Sequence, residues 1–158
     1  MKSQARGSVV AGPVYLDTSA LVKLYLPEPE SAALDRLLRR RLDLVVSDLA
    51  VTEVASAIGR RIGEGVLSDE TATRVYRQLS SDLDERLFAR VTVEPETHRE
   101  AERLLLSSRT SLRTLDALHL ALAIQASARS VVTFDRHMAG AAASLGIAVV
   151  PAPNPAAR

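Results

Sequence analysis

Short apolar runs alternate with longer segments of helical periodicity along the chain. The apolar runs predict strands at residues 14–16, 44–46, 91–93, 131–134 and 148–150. The longer segments place apolar residues three or four apart and predict helices at residues 17–26, 31–41, 48–62, 68–87, 96–106, 114–126 and 137–145. Strands that alternate with helices form βαβ units, so we expect an α/β fold: a three-layer α/β/α domain with a central parallel sheet.

The alternating pattern occupies residues 14–150 and indicates one domain, as expected for a chain of 158 residues. Residues 1–13 lack an apolar run and are interpreted as an N-terminal extension. Residues 151–158 hold three prolines, which favours a loose, Pro-rich C-terminal tail. Residues 107–113 are polar and are predicted to form a loop before the helix that Thr114 is expected to cap.

The composition is that of a globular chain, with 47% hydrophobic and 25% charged residues. The absence of cysteine excludes disulfides, thiolate catalysis and cysteine-bound metal clusters. No apolar run approaches the roughly 18 residues of a membrane span, and the first residues lack the apolar core of a signal peptide. We therefore expect a cytoplasmic protein with no membrane partner. His98, His119 and His137 lack zinc-site spacing, so oxygen atoms would have to bind any metal.

The charge balance limits which nucleic acids the protein could bind. The net charge is +1, and arginine supplies nearly all of the positive charge, because Lys2 and Lys23 are the only lysines. A near-neutral chain is poorly suited to wrapping long duplexes, and 3% aromatic residues cannot support base stacking along a strand. A nucleic-acid ligand would therefore be recognised mainly through its shape and its phosphates.

Acidic residues follow two of the predicted strands. Asp17 comes directly after the first strand and Asp135 directly after the fourth. The carboxyl ends of parallel strands meet at one edge of a sheet, where ligands bind, so these carboxylates are expected there if the two strands are neighbours. Each of them, taken alone, is more typical of a helix cap.

Two further acidic residues lie within predicted helices. Asp116 is in the first turn of a helix that is apolar almost all round, where a carboxylate must be hydrogen-bonded, protonated or bound to a cation; the position also suits the helix dipole. Glu53 points away from the apolar stripe of its helix, and the pattern alone would make it a solvated glutamate. That stripe comprises Val51, Val54, Ala55, Ile58 and Ile62.

Several carboxylates at one strand edge would repel each other at neutral pH. A hard divalent cation resolves this repulsion, and oxygen ligands favour Mg²⁺ or Mn²⁺. Such an ion can hold phosphates and activate water during phosphodiester cleavage.

Four short segments carry these acidic residues in a recurring context: 15–21 (YLDTSAL), 47–54 (SDLAVTEV), 114–121 (TLDALHLA) and 132–135 (VTFD). Their order and separation resemble the four acidic motifs of PIN-domain ribonucleases, and most closely those of the VapC toxins of bacterial toxin–antitoxin modules. The resemblance extends over residues 14–150.

The resemblance implies a metal-dependent ribonuclease that hydrolyses single-stranded or structured RNA and leaves a 5′-phosphate. Its catalytic, metal-binding acidic quartet is Asp17, Glu53, Asp116 and Asp135, of which Asp17 and Asp116 would be the firmest ligands of Mg²⁺ (or Mn²⁺). Thr18, Ser19 and Thr133 would support these carboxylates or a metal-bound water. The family also implies a homodimer and a cognate VapB-like antitoxin that inserts its C-terminal segment near the active site.

Other protein classes explain the pattern less well. A receiver domain requires a lysine late in the sheet, and none follows Lys23; a haloacid-dehalogenase-type phosphatase requires Asp where Ser19 stands. A PIN-like housekeeping RNA-processing nuclease would share the same chemistry. A catalytically silent PIN-like binding module would have lost an acidic residue, and none is missing here.

Several other residues have ordinary structural interpretations. His119 is expected to be a hydrogen-bonded core histidine, and Leu34, Leu37 and Leu38 to form core or a dimer seam. Arginines in two regions could contact phosphates or simply lie at the surface: Arg60, Arg61, Arg109 and Arg113. The run of residues 39–41 is predicted to end a helix on a solvated face.

Overall fold

The protein is described here by a computed structural model, which covers residues 10–107 and 112–151. Five strands lie within these residues: β1 (Val14–Leu16), β2 (Leu44–Ser47), β3 (Ala89–Val91), β4 (Ser130–Val132) and β5 (Ala148–Val150). They form one parallel sheet in the order β3-β2-β1-β4-β5. The predicted α/β fold with a central parallel sheet is confirmed.

Seven helices connect and cover the strands within the described residues. They are α1 (Thr18–Tyr25), α2 (Ser31–Leu38), α3 (Asp48–Gly63), α4 (Asp69–Asp84), α5 (Pro95–Ser107), α6 (Thr114–Gln125) and α7 (Arg136–Ser144). None of the helices in this part of the chain is both long and apolar enough to cross a membrane. Most of the proposed extension (1–13), of the predicted loop (107–113) and of the proposed tail (151–158) lies outside the described residues.

The two faces of the sheet bury two separate hydrophobic clusters. Because successive side chains of a strand point to opposite faces, Val14 and Leu16 pack with helices α1 to α4, whereas Tyr15 packs with residues of α5, α6 and α7. This alternation produces the three layers. It also places Tyr15 on the face that α6 covers.

The boundaries of some elements differ from the predicted ones. Strand β3 lies two residues earlier than predicted, because Ala89, and not Val93, continues the ladder beside Val45. Helix α2 ends at Leu38 and not near residue 41, since Arg40 adopts a left-handed conformation (φ 69°). Helix α6 is capped by Arg113, one residue before the predicted cap.

The apolar stripe of α2 divides between core and surface. Leu34 and Leu38 are buried, which agrees with the core interpretation, whereas Leu37 is 38% exposed. Beyond the end of α2, the Arg41 guanidinium bonds the Asp43 carboxylate and the carbonyl of Val10, so this arginine is not on a freely solvated face.

The register of the central strands determines which residues meet at the carboxyl edge. Leu16 of β1 is paired with Val132 of β4, and the backbone N–H of Asp17 donates to the Val132 carbonyl at 3.2 Å. Asp17 therefore lies beside Thr133, although 116 residues separate them in sequence. Strand β4 ends at Val132 and not at the predicted residue 134, so two residues lie between the end of the strand and Asp135.

Candidate active site

A cleft of about 770 Å³ opens at the carboxyl edge of the sheet. Helices α1 and α3 form one part of its wall, and the start of α6 and the segment after β4 form another. All four acidic residues of the predicted quartet line this cleft: Asp17, Glu53, Asp116 and Asp135. The fold thus brings together side chains that are far apart in the sequence.

Asp17 is the most enclosed of these carboxylates, with 4% of its surface exposed. It caps α1: its Oδ1 accepts hydrogen bonds from the Ser19 hydroxyl (2.7 Å) and from the backbone N–H of Ala20 (2.9 Å). Its Oδ2 accepts from the Thr133 hydroxyl at 2.6 Å. Burial raises the pKa of Asp17 above its ordinary value, although these three hydrogen bonds oppose the shift. Two of the predicted supporting residues thus contact this carboxylate directly.

Asp135 and Asp116 face each other across the start of α6. Asp135 caps α7, and its Oδ1 accepts from the backbone N–H groups of His137 (2.7 Å) and Met138 (3.1 Å). Asp116 accepts from the backbone N–H of Arg113 at 3.4 Å. Burial, and then the negative charge of Asp135, raise the pKa of Asp116. Arg113 partly offsets this repulsion, because its guanidinium lies 3.9 Å from Oδ2 of Asp135 and its charge favours the ionised form of Asp116.

Glu53 is not the solvated glutamate that the pattern of its helix predicts. Its Oε2 accepts from the Thr18 hydroxyl at 2.5 Å and lies 2.6 Å from Nε2 of His119. The prediction from the apolar stripe is wrong because the buried side of α3 is shifted toward Glu53. Ala57, on the same side as Glu53, is buried, whereas Ala55, which was assigned to the stripe, is exposed. Although burial raises the pKa of Glu53, its hydrogen bonds to His119 and Thr18 hold it below the ordinary value.

Sequence reasoning did not assign Tyr15 or His119 to the site. His119 is a buried, hydrogen-bonded histidine, as expected, but one of its ring nitrogens contacts a cleft carboxylate. The other ring nitrogen, Nδ1, contacts the hydroxyl of Tyr15 at 2.8 Å. Burial raises the pKa of the Tyr15 hydroxyl well above its ordinary value. The available signal was the position of His119 one helical turn after Asp116 on the buried helix α6.

Positively charged side chains line the cleft together with these carboxylates. Lys23 contacts the carboxylates of Glu28 (2.6 Å) and Glu30 (2.7 Å), and its ammonium lies 4.8 Å from the centre of the Phe134 ring. Glu28 also pairs with Arg61 of α3, so it connects the loop after α1 to α3. Arg60 and Arg113 line the cleft as well, whereas Arg109 lies outside the described residues.

The Glu28 bridge makes a testable contribution to stability. Although burial opposes it, hydrogen bonds from Lys23 and Arg61 hold the pKa of Glu28 below its ordinary value. A lowered carboxyl pKa contributes stability above the unfolded pKa, about 4.3, and this contribution disappears as the pH falls through the folded pKa. We expect Glu28→Gln to lower the free energy of unfolding by about 1 kcal/mol at pH 7, with the difference shrinking below about pH 4.3. Urea denaturation between pH 7 and pH 3.5 measures it; a difference independent of pH would contradict the assignment.

The carboxylates of the cleft offer oxygen atoms, which are the ligands that a hard divalent cation prefers. The cleft presents carboxylate oxygens from four separate parts of the chain, and the repulsion between Asp116 and Asp135 is the electrostatic condition that a cation relieves. As the side chains are arranged, no three His, Asp or Glu residues between residues 10 and 107 or 112 and 151 are grouped closely enough to share one ion. The carboxylates therefore suit the ion in their chemistry but not yet in their spacing, and the role of each one as a ligand stays a prediction.

The comparisons with known proteins agree with this fold. Residues 14–143 match the sequence profile of the PIN domain. Ribonuclease VapC46 of Mycobacterium tuberculosis is 39% identical over 139 residues, which cover 87% of this chain and 95% of that protein. Ribonuclease VapC35 of the same species is 34% identical over 143 residues, with the same two coverages. The chain therefore belongs to the PIN-domain family, and within it to the VapC ribonucleases.

Solved structures of low sequence identity share the fold. The crystal structure of FitAcB from Neisseria gonorrhoeae superimposes with a TM-score of 0.66 at 20% identity. The superposition covers 86% of this chain and 95% of the FitAcB chain. VapC20 of Mycobacterium tuberculosis, described as a toxin that cleaves the Sarcin-Ricin loop, superimposes with a TM-score of 0.63 at 16% identity. It covers 81% of this chain and 94% of its own.

Proposed function

We propose that this protein is an endoribonuclease dependent on Mg²⁺ (or Mn²⁺) and the toxin of a type II toxin–antitoxin pair. One observation carries the proposal: four acidic side chains, located after β1, in α3, in α6 and at the start of α7, line a single cleft. The VapC relatives of the chain are ribonucleases, which supports the same activity here. No acidic position of the family motifs is missing, which argues against a silent binding module.

The proposed ligands of the ion are Asp17 and Asp116, with Glu53 and Asp135 completing the site or acting through water. A bound divalent cation would activate the attacking water and neutralise the charge that develops on the phosphodiester. Ser19 and Thr133 fix both oxygens of Asp17, so this carboxylate is oriented before any ligand binds. Thr18 contributes in the same way by donating to Glu53.

The same cleft is suited to the phosphates of an RNA substrate. Lys23, Arg60, Arg61 and Arg113 line it beside the carboxylates, and we assign them to the phosphates that flank the cleaved bond. The low aromatic content makes stacking on successive bases a minor contribution. We expect structured or single-stranded RNA to be cut, with a 5′-phosphate on the product.

The proposal includes two partners. A cognate VapB-like antitoxin would silence the enzyme by inserting its C-terminal segment at the cleft, where an arginine of that segment would meet the repelling carboxylates Asp116 and Asp135. A second copy of the chain would form a homodimer. Toxin, antitoxin and RNA would meet in the cytoplasm.

A cleavage assay tests the proposed function. The protein is incubated with a mixed pool of structured RNAs in Mg²⁺, in Mn²⁺ and in EDTA, and the product ends are mapped. We expect cleavage only with the ions, with 5′-phosphate ends that a phosphate-dependent exonuclease degrades. Cleavage that persists in EDTA, or an intact pool in both ions, would overturn the proposal.

A further inference from the structure

A chain of buried hydrogen bonds runs from the end of β2 to the cleft carboxylate of Glu53. The Ser47 hydroxyl lies 2.8 Å from the Tyr15 hydroxyl, which lies 2.8 Å from Nδ1 of His119. Nε2 of His119 then lies 2.6 Å from Oε2 of Glu53. Ser47 and Tyr15 are completely buried, and His119 is 4% exposed. Each bond joins a different pair of structural elements.

The chemistry of the partners gives this chain a direction. An ionised carboxylate only accepts hydrogen bonds, so Nε2 of His119 carries a hydrogen and donates it to Glu53. At the other end, the Ser47 oxygen accepts from the backbone N–H of Ala50 at 3.1 Å. Ser47 then donates to Tyr15, and Tyr15 donates to Nδ1 of His119.

The reverse direction leaves a buried hydrogen without an acceptor. If Nδ1 of His119 donated to Tyr15, Tyr15 would donate to Ser47. The Ser47 hydrogen would then have no acceptor. Among the described residues, the Ser47 hydroxyl contacts only the Tyr15 hydroxyl, which would be donating to it, and the N–H of Ala50, which is itself a donor. An unsatisfied buried donor costs about 1–3 kcal/mol. The hydrogen-bond chain thus favours a hydrogen on Nε2 of His119 and an accepting Nδ1.

We infer that His119 is a positioning residue for Glu53, and that Tyr15 and Ser47 act through it by setting its tautomer. The inference rests on the proposed function, because it gives Glu53 a task in the nuclease site. Thr18 and His119 both donate to Oε2 of Glu53. Oε1 is therefore the oxygen left to bind a divalent cation or a water molecule in the cleft. Partners that orient a metal-binding carboxylate typically change metal affinity or activity by about 10- to 100-fold when replaced.

Two amide variants of His119 separate positioning from packing. Glutamine carries its amide nitrogen about as far from the backbone as Nε2, so His119→Gln keeps a donor for Glu53. Asparagine carries its amide about as far as Nδ1, so His119→Asn keeps a partner for Tyr15 but does not reach Glu53. Both variants place a neutral amide in the same buried position. Because glutamine also fills more of the space than asparagine, the melting temperature of each variant is needed to show how far packing is disturbed.

Mn²⁺ binding measured by calorimetry, alongside RNA cleavage and the melting temperature, provides the test. We expect His119→Asn to weaken Mn²⁺ binding and cleavage by about 10- to 100-fold, and His119→Gln to restore both to within about 5-fold of wild type. Equal losses of Mn²⁺ affinity in the two variants, at similar melting temperatures, would overturn the inference. So would unchanged Mn²⁺ affinity in His119→Asn.

Removal of one hydroxyl tests the more distant part of the chain. Tyr15→Phe keeps the ring and deletes the donor to His119, and we expect it to weaken Mn²⁺ binding by about 3- to 10-fold. Tyr25→Phe is the matched control, since it deletes a hydroxyl that donates to Asp82 at 2.6 Å on the α1–α4 side of the fold. The control should leave Mn²⁺ affinity unchanged. Equal Mn²⁺ affinities in Tyr15→Phe and wild type would contradict the role of Tyr15.

An NMR measurement without metal keeps this inference separate from the proposed function. The chain has three histidines, so the ring nitrogens of His119 can be assigned by mutation in a long-range ¹H–¹⁵N spectrum. We expect one protonated nitrogen, Nε2, and one unprotonated nitrogen, Nδ1. If RNA is never cut but this tautomer is found, the proposed function fails while the hydrogen-bond chain stands. If RNA is cut and Nδ1 carries the hydrogen, the inference fails while the proposed function stands.

Discussion

Asp17→Asn is expected to reduce metal-dependent RNA cleavage by at least about 1,000-fold, equivalent to about 4 kcal/mol of transition-state stabilisation. The substitution keeps the size of the side chain and removes its charge. Its remaining oxygen can still accept from Ser19 and from the N–H of Ala20, so α1 keeps its cap. Single-turnover cleavage of one RNA from the pool gives the rate. More than a tenth of the wild-type rate would contradict the assigned role of Asp17.

The same substitution is expected to leave the melting temperature unchanged or raised. In the wild-type protein the buried charge of Asp17 is unfavourable, which is why burial raises its pKa. A neutral amide does not carry this desolvation cost. Asp82→Asn is a suitable control, because Asp82 lies outside the cleft and accepts from Tyr25; it should retain full cleavage activity. A loss of activity that tracks a loss of folding would instead indicate that Asp17 is only structural.

Divalent ions are expected to raise the thermal stability of the wild-type protein. An ion at about 100 times its Kd adds about 2.7 kcal/mol through linkage, which for a domain of this size is a shift of roughly 5–10 °C. Differential scanning fluorimetry in Mg²⁺, in Mn²⁺ and in NaCl of matched ionic strength measures the shift. The NaCl control identifies the part that ordinary screening produces.

Asp116→Asn should remove most of that shift. The substitution deletes a proposed ligand and also the carboxylate that the charge of Asp135 opposes, so in EDTA the variant should be at least as stable as wild type. A shift of equal size in wild type and variant would contradict the assignment of Asp116 as a ligand. The absence of any shift in both proteins would contradict the metal site itself.

The sequence predicts the sheet and its carboxyl edge well, because each rests on a local pattern. Strand β1 is an apolar run that ends at Asp17, and the βαβ alternation predicts that the strands are parallel. The sequence leaves open whether β1 and β4 are neighbours, and the structure shows that they are. The edge strand β3 is predicted less accurately, since its side chains are largely exposed and burial is what an apolar pattern detects. Hydrogen-bond pairing with Val45, not hydrophobicity, sets its position.

The details of the site depend on contacts between distant residues, and a local pattern cannot specify these. Glu53 lies off the apolar stripe of α3, so its assignment came from the family resemblance alone. Tyr15 and His119 are 104 residues apart, and each alone has the pattern of a core residue. Their contact can be predicted only when it is known which face of β1 lies against α6. Hydrogen bonds between polar groups of the sheet and of the helices are thus the part of the site that the sequence does not predict.

The central position of β1 also has a consequence for the time at which activity can arise during synthesis. Strand β1 is made first, yet its second neighbour, β4, begins only at Ser130, and Thr133 and Asp135 come later still. A growing polypeptide on the ribosome therefore has the first acidic residue of the cleft long before it has the last. A partly made chain holds one half of a sheet and an incomplete set of carboxylates. We therefore expect cleavage activity to arise only after most of the domain has been synthesised.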